Sequence, residues 1–140
     1  MTDTTLMLGI SGLLLFAIGL LLGFGIPLFR NTRMALSAHL TAAQTGPALI
    51  AIALFWQNCA VPADWEDPLA LALGASSFGL VFGIALAALT GASNALPIAG
   101  KGYGASVLAE RLVTVLVAGS SVIMMAAIAC LCWFALLGLA

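Results

Sequence analysis

The sequence predicts an all-α integral membrane protein, a bundle of four transmembrane helices. Three observations predict it. The chain has 140 residues, 64% of them hydrophobic and only 6% charged, where soluble domains carry about 25% charged residues. Four apolar stretches, at residues 6–29, 36–59, 69–91 and 112–139, each reach the ~20 residues a helix needs to cross about 30 Å of hydrocarbon. All the Lys and Arg residues lie in the two connections on one side of those stretches. The length allows a single domain, here one transmembrane unit. Barrel strands need alternation over ~10 residues, and runs such as LLLFAIGLLLGFGI show none.

The charges set the orientation. Arg30 and Arg33 follow the first helix, and Lys101 and Arg111 separate the third from the fourth. The opposite side carries Asp3, Asp64, Glu66 and Asp67. The positive-inside rule then places both termini outside and the 1–2 and 3–4 connections in the cytoplasm, as expected for a bacterial-type inner (plasma) membrane. The first stretch is too long for a signal-peptide core, has no basic n-region and no A-x-A-like site after it, so it reads as retained. A net charge of −1 argues against a nucleic-acid partner.

The first helix is apolar on every face, as lipid burial demands. Gly19 and Gly23 form a G-x-x-x-G, which permits close helix approach but arises often by chance in a glycine-rich helix. Pro27 bends or ends this helix. The short connection before residue 36 makes helices 1 and 2 an antiparallel hairpin. The second helix is the least lipid-like: Ser37, His39, Thr41, Gln44 and Thr45 fill its first half, before Gly46 and Pro47. Pro47 removes one backbone hydrogen bond and predicts a kink. Trp56, Trp65 and Trp133 read as an outer aromatic belt. The turn at residues 60–68 holds prolines and acids but no metal-suited cluster. Gly74, Ser76, Ser77, Gly79 and Gly83 give the third helix a stripe for a close neighbour. The longest connection, residues 90–111, is glycine-rich and contains Asn94, Lys101, Tyr103 and Glu110. A loop this long in so small a chain suits a lid or binding loop. Its glycines at 100, 102 and 104 follow no strand and precede no G-K-[ST], so they are no phosphate loop. Cys59, Cys130 and Cys132 form no C-x-x-C pair and read as small packing residues.

His39, the only histidine, lies about two turns inside the second helix. An ionisable group in a membrane helix is a functional candidate because burying it is costly. The functional readings are a metal or haem ligand and a proton carrier, and a neutral imidazole that only bonds between helices is the competing reading. One histidine with no nearby cysteine or carboxylate cannot form a protein-only zinc site, which needs three or four ligands. It suffices for haem, where the porphyrin supplies four nitrogens. Such a haem would be five-coordinate, with an open face for a small molecule, and Arg33, with Arg30, would meet its propionates. Ala42, Ala43 and Gly46 leave room beside the imidazole, which also suits plain helix packing. Glu110 with Arg111 reads as an interfacial cap, and Tyr103 as an interface anchor or an acid.

The segment NTRMALSAHLTAAQTG resembles the hydroxylaminobenzene mutase family of small four-helix membrane proteins. The matching residues are Asn31, Arg33, Leu36, Ser37, Ala38, His39, Leu40 and Gly46. The later LPIAGKGYGAS, followed by Glu110, resembles that family's loop before its last helix. The family is similar in turn to styrene oxide isomerase. The resemblance implies haem b, with His39 as axial ligand and iron site, and Arg33, Ser37 and Gly46 beside the cofactor, between protomers of a homotrimer. It implies a redox-neutral isomerisation of an aryl hydroxylamine to an aminophenol in a pocket reached from the lipid bilayer by a small aromatic substrate. Thr45 and Gln44 would orient the substrate, and Asn94 and Tyr103 would close the cytoplasmic mouth. Both families have asparagine six residues after the histidine, and this chain has Thr45. Epoxide isomerisation, or a haem-free binding or assembly subunit, are the alternatives.

Overall fold

The computed structural model describes residues 3–138. Four long helices run antiparallel: α1 (Asp3–Gly25), α2 (Thr32–Phe55), α3 (Ala63–Thr90) and α4 (Val107–Leu137). Each is long and apolar enough to cross a membrane. The four apolar stretches are therefore four membrane-spanning helices, with ends that hydropathy misplaced. Every helix begins before its apolar stretch, because a helix N-terminus is built from polar groups that cap free N–H donors. Asn31 caps α2, its Oδ1 accepting from the Arg33 and Met34 amides. Ser106 caps α4, its hydroxyl accepting from the Ala109 amide. Pro62 precedes α3, and Asp64 and Glu66 lie in that helix's first turn, where acids complement the helix dipole. Pro68 consequently sits inside α3 rather than in a turn. The end predicted at 139 lies outside the described residues.

The α-helical part of α1 stops at Gly25, and Ile26–Leu28 form a 3₁₀ turn around Pro27, as a proline there dictates. Pro47 lies within α2, which continues to Phe55. At the acidic end, the Thr4 hydroxyl donates to the Asp67 carboxylate at 2.6 Å and ties α1 to α3.

Contacts define two hairpins, α1 with α2 and α3 with α4. The central helix is α3, which also packs on α1 and α2. It is the most buried helix, and α4 the least. Within lipid, apolar side chains gain little by leaving the bilayer, so close van der Waals fit drives helix pairing. Small residues supply that fit. A Cβ on Gly12 would lie 2.6 Å from the Gly46 carbonyl oxygen, and one on Gly46 would lie 2.7 Å from the Gly12 oxygen. The α1 and α2 backbones thus cross at these two glycines. In the second hairpin, Gly83 meets Leu116 and Val117, and Gly79 meets the Ser120 hydroxyl. Of the small-residue stripe read in the third helix, Gly79 and Gly83 make this α4 contact, whereas Gly74 faces Ser11 of α1 and the Ser76 and Ser77 hydroxyls bond back to the Leu73 carbonyl.

Gly46→Ala is expected to destabilise the folded chain by about 1–3 kcal/mol, because both backbones must shift to admit the methyl group. Gly9→Ala is the contrast. Its Cβ would find only the Ala53 methyl at 3.9 Å, and a change within about 0.5 kcal/mol is expected. Denaturation of the two variants in mixed detergent micelles checks the pair.

Trp56 corrects the belt reading. It is 3% exposed and joins the core with Leu8, Ala53, Leu69 and Leu73. The 3₁₀ turn Trp56–Asn58 that ends the second hydrophobic segment places the ring inside the bundle rather than at its rim. Among the described residues, its indole nitrogen is the one fully buried side-chain polar atom without a partner. Trp65 and Trp133 are exposed, as a belt requires.

Candidate functional site

His39 sits on the face of α2 that meets α1. Its Nδ1 lies 2.7 Å from the Gly19 carbonyl oxygen. A carbonyl only accepts, so Nδ1 carries the proton and donates. The ring lies over Gly23, where a Cβ would approach Nδ1 to 2.8 Å. Nε2 makes no hydrogen bond among the described residues, nor is it one of their fully buried atoms. It therefore keeps a free lone pair with access from outside the chain. Exposed Leu36, Leu40, Leu20 and Phe24 flank His39 and Gly23 along the two helices, so the surroundings are apolar.

The small residues expected to leave room beside the imidazole are used otherwise. Ala42 is buried against Gly19, and Gly46 against Gly12 and Phe16. Helix α1 occupies that space. What lies beside the ring is the bare backbone of Gly19 and Gly23.

The other expected site residues do not gather around His39 within one chain. At about 100° per residue, Ser37, Gln44 and Thr45 stand roughly 160°, 140° and 120° around α2 from His39. The Ser37 hydroxyl donates to the Arg33 carbonyl at 3.0 Å, and that of Thr45 to the Thr41 carbonyl at 2.6 Å. Gln44 is exposed. Asn94 is also exposed and lines a cleft of about 660 Å³. That cleft's walls come from the loop and α4, including Ser93, Glu110 and Thr114, with nothing from α1 or α2. Tyr103, 36% exposed, lies on the same loop.

Residues 91–106 nevertheless form an anchored cover at the basic end. Gly91 ends α3 in the left-handed conformation, φ +81°, and its N–H donates to the Ala87 carbonyl. Arg30 donates to the Thr90 carbonyl. Arg33 Nη2 donates to the Lys101 carbonyl at 2.8 Å, and Asn31 Nδ2 to the Ala99 carbonyl at 3.0 Å. The Glu110 carboxylate accepts from the amides of Ser93, Asn94 and Ala105. Asn31 and Glu110 thus fasten both halves of the loop to the helices. Asn31 was legible as a motif residue but not as a tether. Its position directly before a helix was the available signal.

Glu110→Gln keeps the shape but removes the charge that makes such bonds about twice as strong as neutral ones. Amide hydrogen exchange at Ser93, Asn94 and Ala105 is expected to quicken at least about tenfold, with Gly91 unchanged. Exchange mass spectrometry resolves this, and equal protection in the variant would refute the clamp.

Among the described residues, no group of three His, Cys, Asp or Glu side chains comes together. The cysteines are free thiols. Burial, and then the neighbouring Cys132, push the Cys59 thiol above its ordinary range, which disfavours a thiolate nucleophile. The Nδ1 bond to Gly19 is the interhelical hydrogen bond of a packing histidine, and it also leaves Nε2 free for a ligand role. An axial ligand donates its distal N–H to a carbonyl or carboxylate and presents the other nitrogen to the metal, and His39 has that arrangement.

Comparison with known proteins agrees with this architecture. A family model described as styrene oxide isomerase matches residues 4–136. Hydroxylaminobenzene mutase HabA of Ectopseudomonas oleovorans is 37% identical over 107 residues, covering 76% of this chain and 79% of its own. Hydroxylaminobenzene mutase HabB of the same organism is 30% identical over 135 residues, covering 87% and 75%.

Proposed function

The chain belongs to the styrene oxide isomerase family and is an isomerase of the membrane, and from that premise we propose that it rearranges aryl hydroxylamines to aminophenols with haem b held by His39. The observation that carries the cofactor half is the His39 ring, with Nδ1–H spent on the Gly19 carbonyl and Nε2 free. The 37% identity to a hydroxylaminobenzene mutase carries the substrate half.

The reaction is balanced within one molecule. The N–O bond breaks, a ring C–O bond forms, the ring carbon loses its proton and nitrogen gains one. Nitrogen is reduced as carbon is oxidised, so no outside oxidant or reductant is needed. When bound through His39, the haem would supply a Lewis-acidic iron. The chain's part is to hold that iron through His39 Nε2 and to keep bulk water away with apolar helix surface. An arene would reach such a surface from the bilayer. Arg33 gives the Lys101 carbonyl one bond through Nη2. A guanidinium has five N–H donors, so others remain for a propionate; Arg33 also stands roughly 120° around α2 from His39, so it would meet a haem held between protomers.

Gln44 and Thr45 stand away from their own His39, so they would orient substrate across the contact with a second protomer. The proposed working unit is therefore a homo-oligomer, a trimer by the family resemblance. Asn94 and Tyr103 would guard the mouth from the tethered loop. The basic end faces the cytoplasm of a bacterial inner membrane under the positive-inside rule.

The family's own description makes epoxide isomerisation the second reading. Chain purified in detergent, after expression with ample haem, should show a Soret band. Offered hydroxylaminobenzene and styrene oxide side by side, it should turn over the first faster. Absence of the band would sink the cofactor, and preference for the epoxide would sink the substrate.

A further inference from the structure

We propose that Gly19 and Gly23 of α1 form a backbone seat that fixes His39 as its Nδ1–H tautomer and presents Nε2 as the donor. The functional sense of the seat rests on His39 being the haem ligand, while the seat itself is a property of the polypeptide alone.

Three observations build it. The Gly19 carbonyl receives the Nδ1 proton at 2.7 Å. This oxygen lies inside α1, where its other lone pair serves the helix ladder, so the acceptor is rigid rather than a rotating side chain. Gly19 is also where α1 and α2 close up, since a Cβ there would lie 2.9 Å from the Ala43 amide nitrogen. That closeness brings the carbonyl within reach of the imidazole. Gly23, one turn on, is where the ring rests. A Cβ would approach ring atoms Nδ1 and Cε1 to 2.8 and 2.9 Å. Any larger residue must turn the imidazole away from Gly19 or push the helices apart.

The two glycines therefore have separate duties. Gly19 sets the distance between helices and supplies the acceptor. Gly23 leaves the space in which the ring keeps its angle. This is more than the close approach that small residues give elsewhere in the hairpin, because Gly12 and Gly46 meet backbone, Ile50 and Phe16 but touch no functional side chain. A hydrogen bond at the distal nitrogen orients a ligand histidine and raises its basicity. The donor strength of Nε2 is thus set by α1, although the histidine belongs to α2. Gly19 and Gly23 act as positioning residues through His39.

The single histidine makes the test clean. Full-length chain carrying ¹⁵N only in histidine, reconstituted in lipid, reduced and placed under carbon monoxide, is diamagnetic with or without haem. Its two ring nitrogens are those of His39. The expected spectrum has Nδ1 protonated and Nε2 without a proton. If Nε2 carries the proton instead, or both nitrogens do at neutral pH, the seat is overturned. A protonated Nδ1 with a bare rather than metal-bound Nε2 supports the seat while defeating the haem reading, so the two failures are distinguishable. The second arm compares Gly23→Ala with Gly12→Ala, a clash of similar size that does not touch His39. Gly23→Ala is expected to shift the Nδ1 resonance and weaken haem binding roughly 10- to 100-fold. Gly12→Ala should leave the resonance in place even where it lowers the melting temperature. Equal Nδ1 resonances in wild type and Gly23→Ala would overturn the assignment.

Discussion

A His39→Ala chain, expressed with ample haem, is expected to lack the Soret band and to lose isomerase activity by well over about 100-fold. Losing only the outer hydrogen bond of a ligand histidine costs roughly 10- to 100-fold, and alanine removes the ligand itself. The fold should survive. The side chain gives the Gly19 carbonyl one bond, worth about 1 kcal/mol net, and that oxygen retains its helical partner. Circular dichroism should therefore stay close to wild type, and thermal unfolding close to that of haem-free wild type, while absorbance and turnover vanish. His39→Gly sharpens the test, since it leaves an imidazole-sized gap over Gly23. Added imidazole is expected to restore part of the band and part of the activity. A Soret band that persists in His39→Ala would place the cofactor elsewhere, and normal turnover without the band would remove haem from the reaction.

What could be read from the sequence follows from which signals are local. Composition and four hydrophobic runs identify four spans because burial in hydrocarbon acts residue by residue. Helix ends were misplaced by hydropathy, which follows lipid contact and not hydrogen bonding. The caps at Asn31 and Ser106 were readable by residue type, yet the apolar runs begin several residues later. His39 was legible as the anomalous residue. Its surroundings were not, because Gly19 and Gly23 belong to another helix, and their pairing with His39 depends on the register of the α1–α2 hairpin. The same gap explains Gly46, which looks like space on an isolated helix and becomes a backbone crossing once Gly12 arrives. Trp56 illustrates the reverse error. A tryptophan at the end of an apolar run predicts an interface anchor, and a 3₁₀ turn converts it to core.

The tether at the basic end gives the largest expected effect on stability. Asn31 is 0% exposed, and its side chain does two things at once. Oδ1 caps α2 through the Arg33 and Met34 amides, at 3.1 and 3.2 Å, and Nδ2 holds the Ala99 carbonyl. Asn31→Ala removes a cap worth about 0.5–2 kcal/mol. It also strands polar groups in a buried site at about 1–3 kcal/mol. A total loss of about 2–4 kcal/mol is expected, since the two contributions share one side chain and are not fully additive. Asn31→Ser separates them, because serine can cap but is too short to reach Ala99, and it should recover roughly the cap's share, about 1 kcal/mol. Asn31→Asp keeps the cap and suits the helix dipole, but it sets a carboxylate against the Ala99 carbonyl and should fall below serine. The backbone bond from the Asn31 amide to the Ala88 carbonyl is common to all three variants and cancels. Denaturation in mixed micelles gives the order wild type, Ser, Asp, Ala or Ser, Ala, Asp below wild type. Serine no better than alanine would show that the cap contributes nothing. The functional signature should differ from that of His39→Ala. Loosening residues 91–106 disturbs Asn94 and Tyr103 but leaves His39 on Gly19, so the Soret band should remain and KM should rise more than kcat falls.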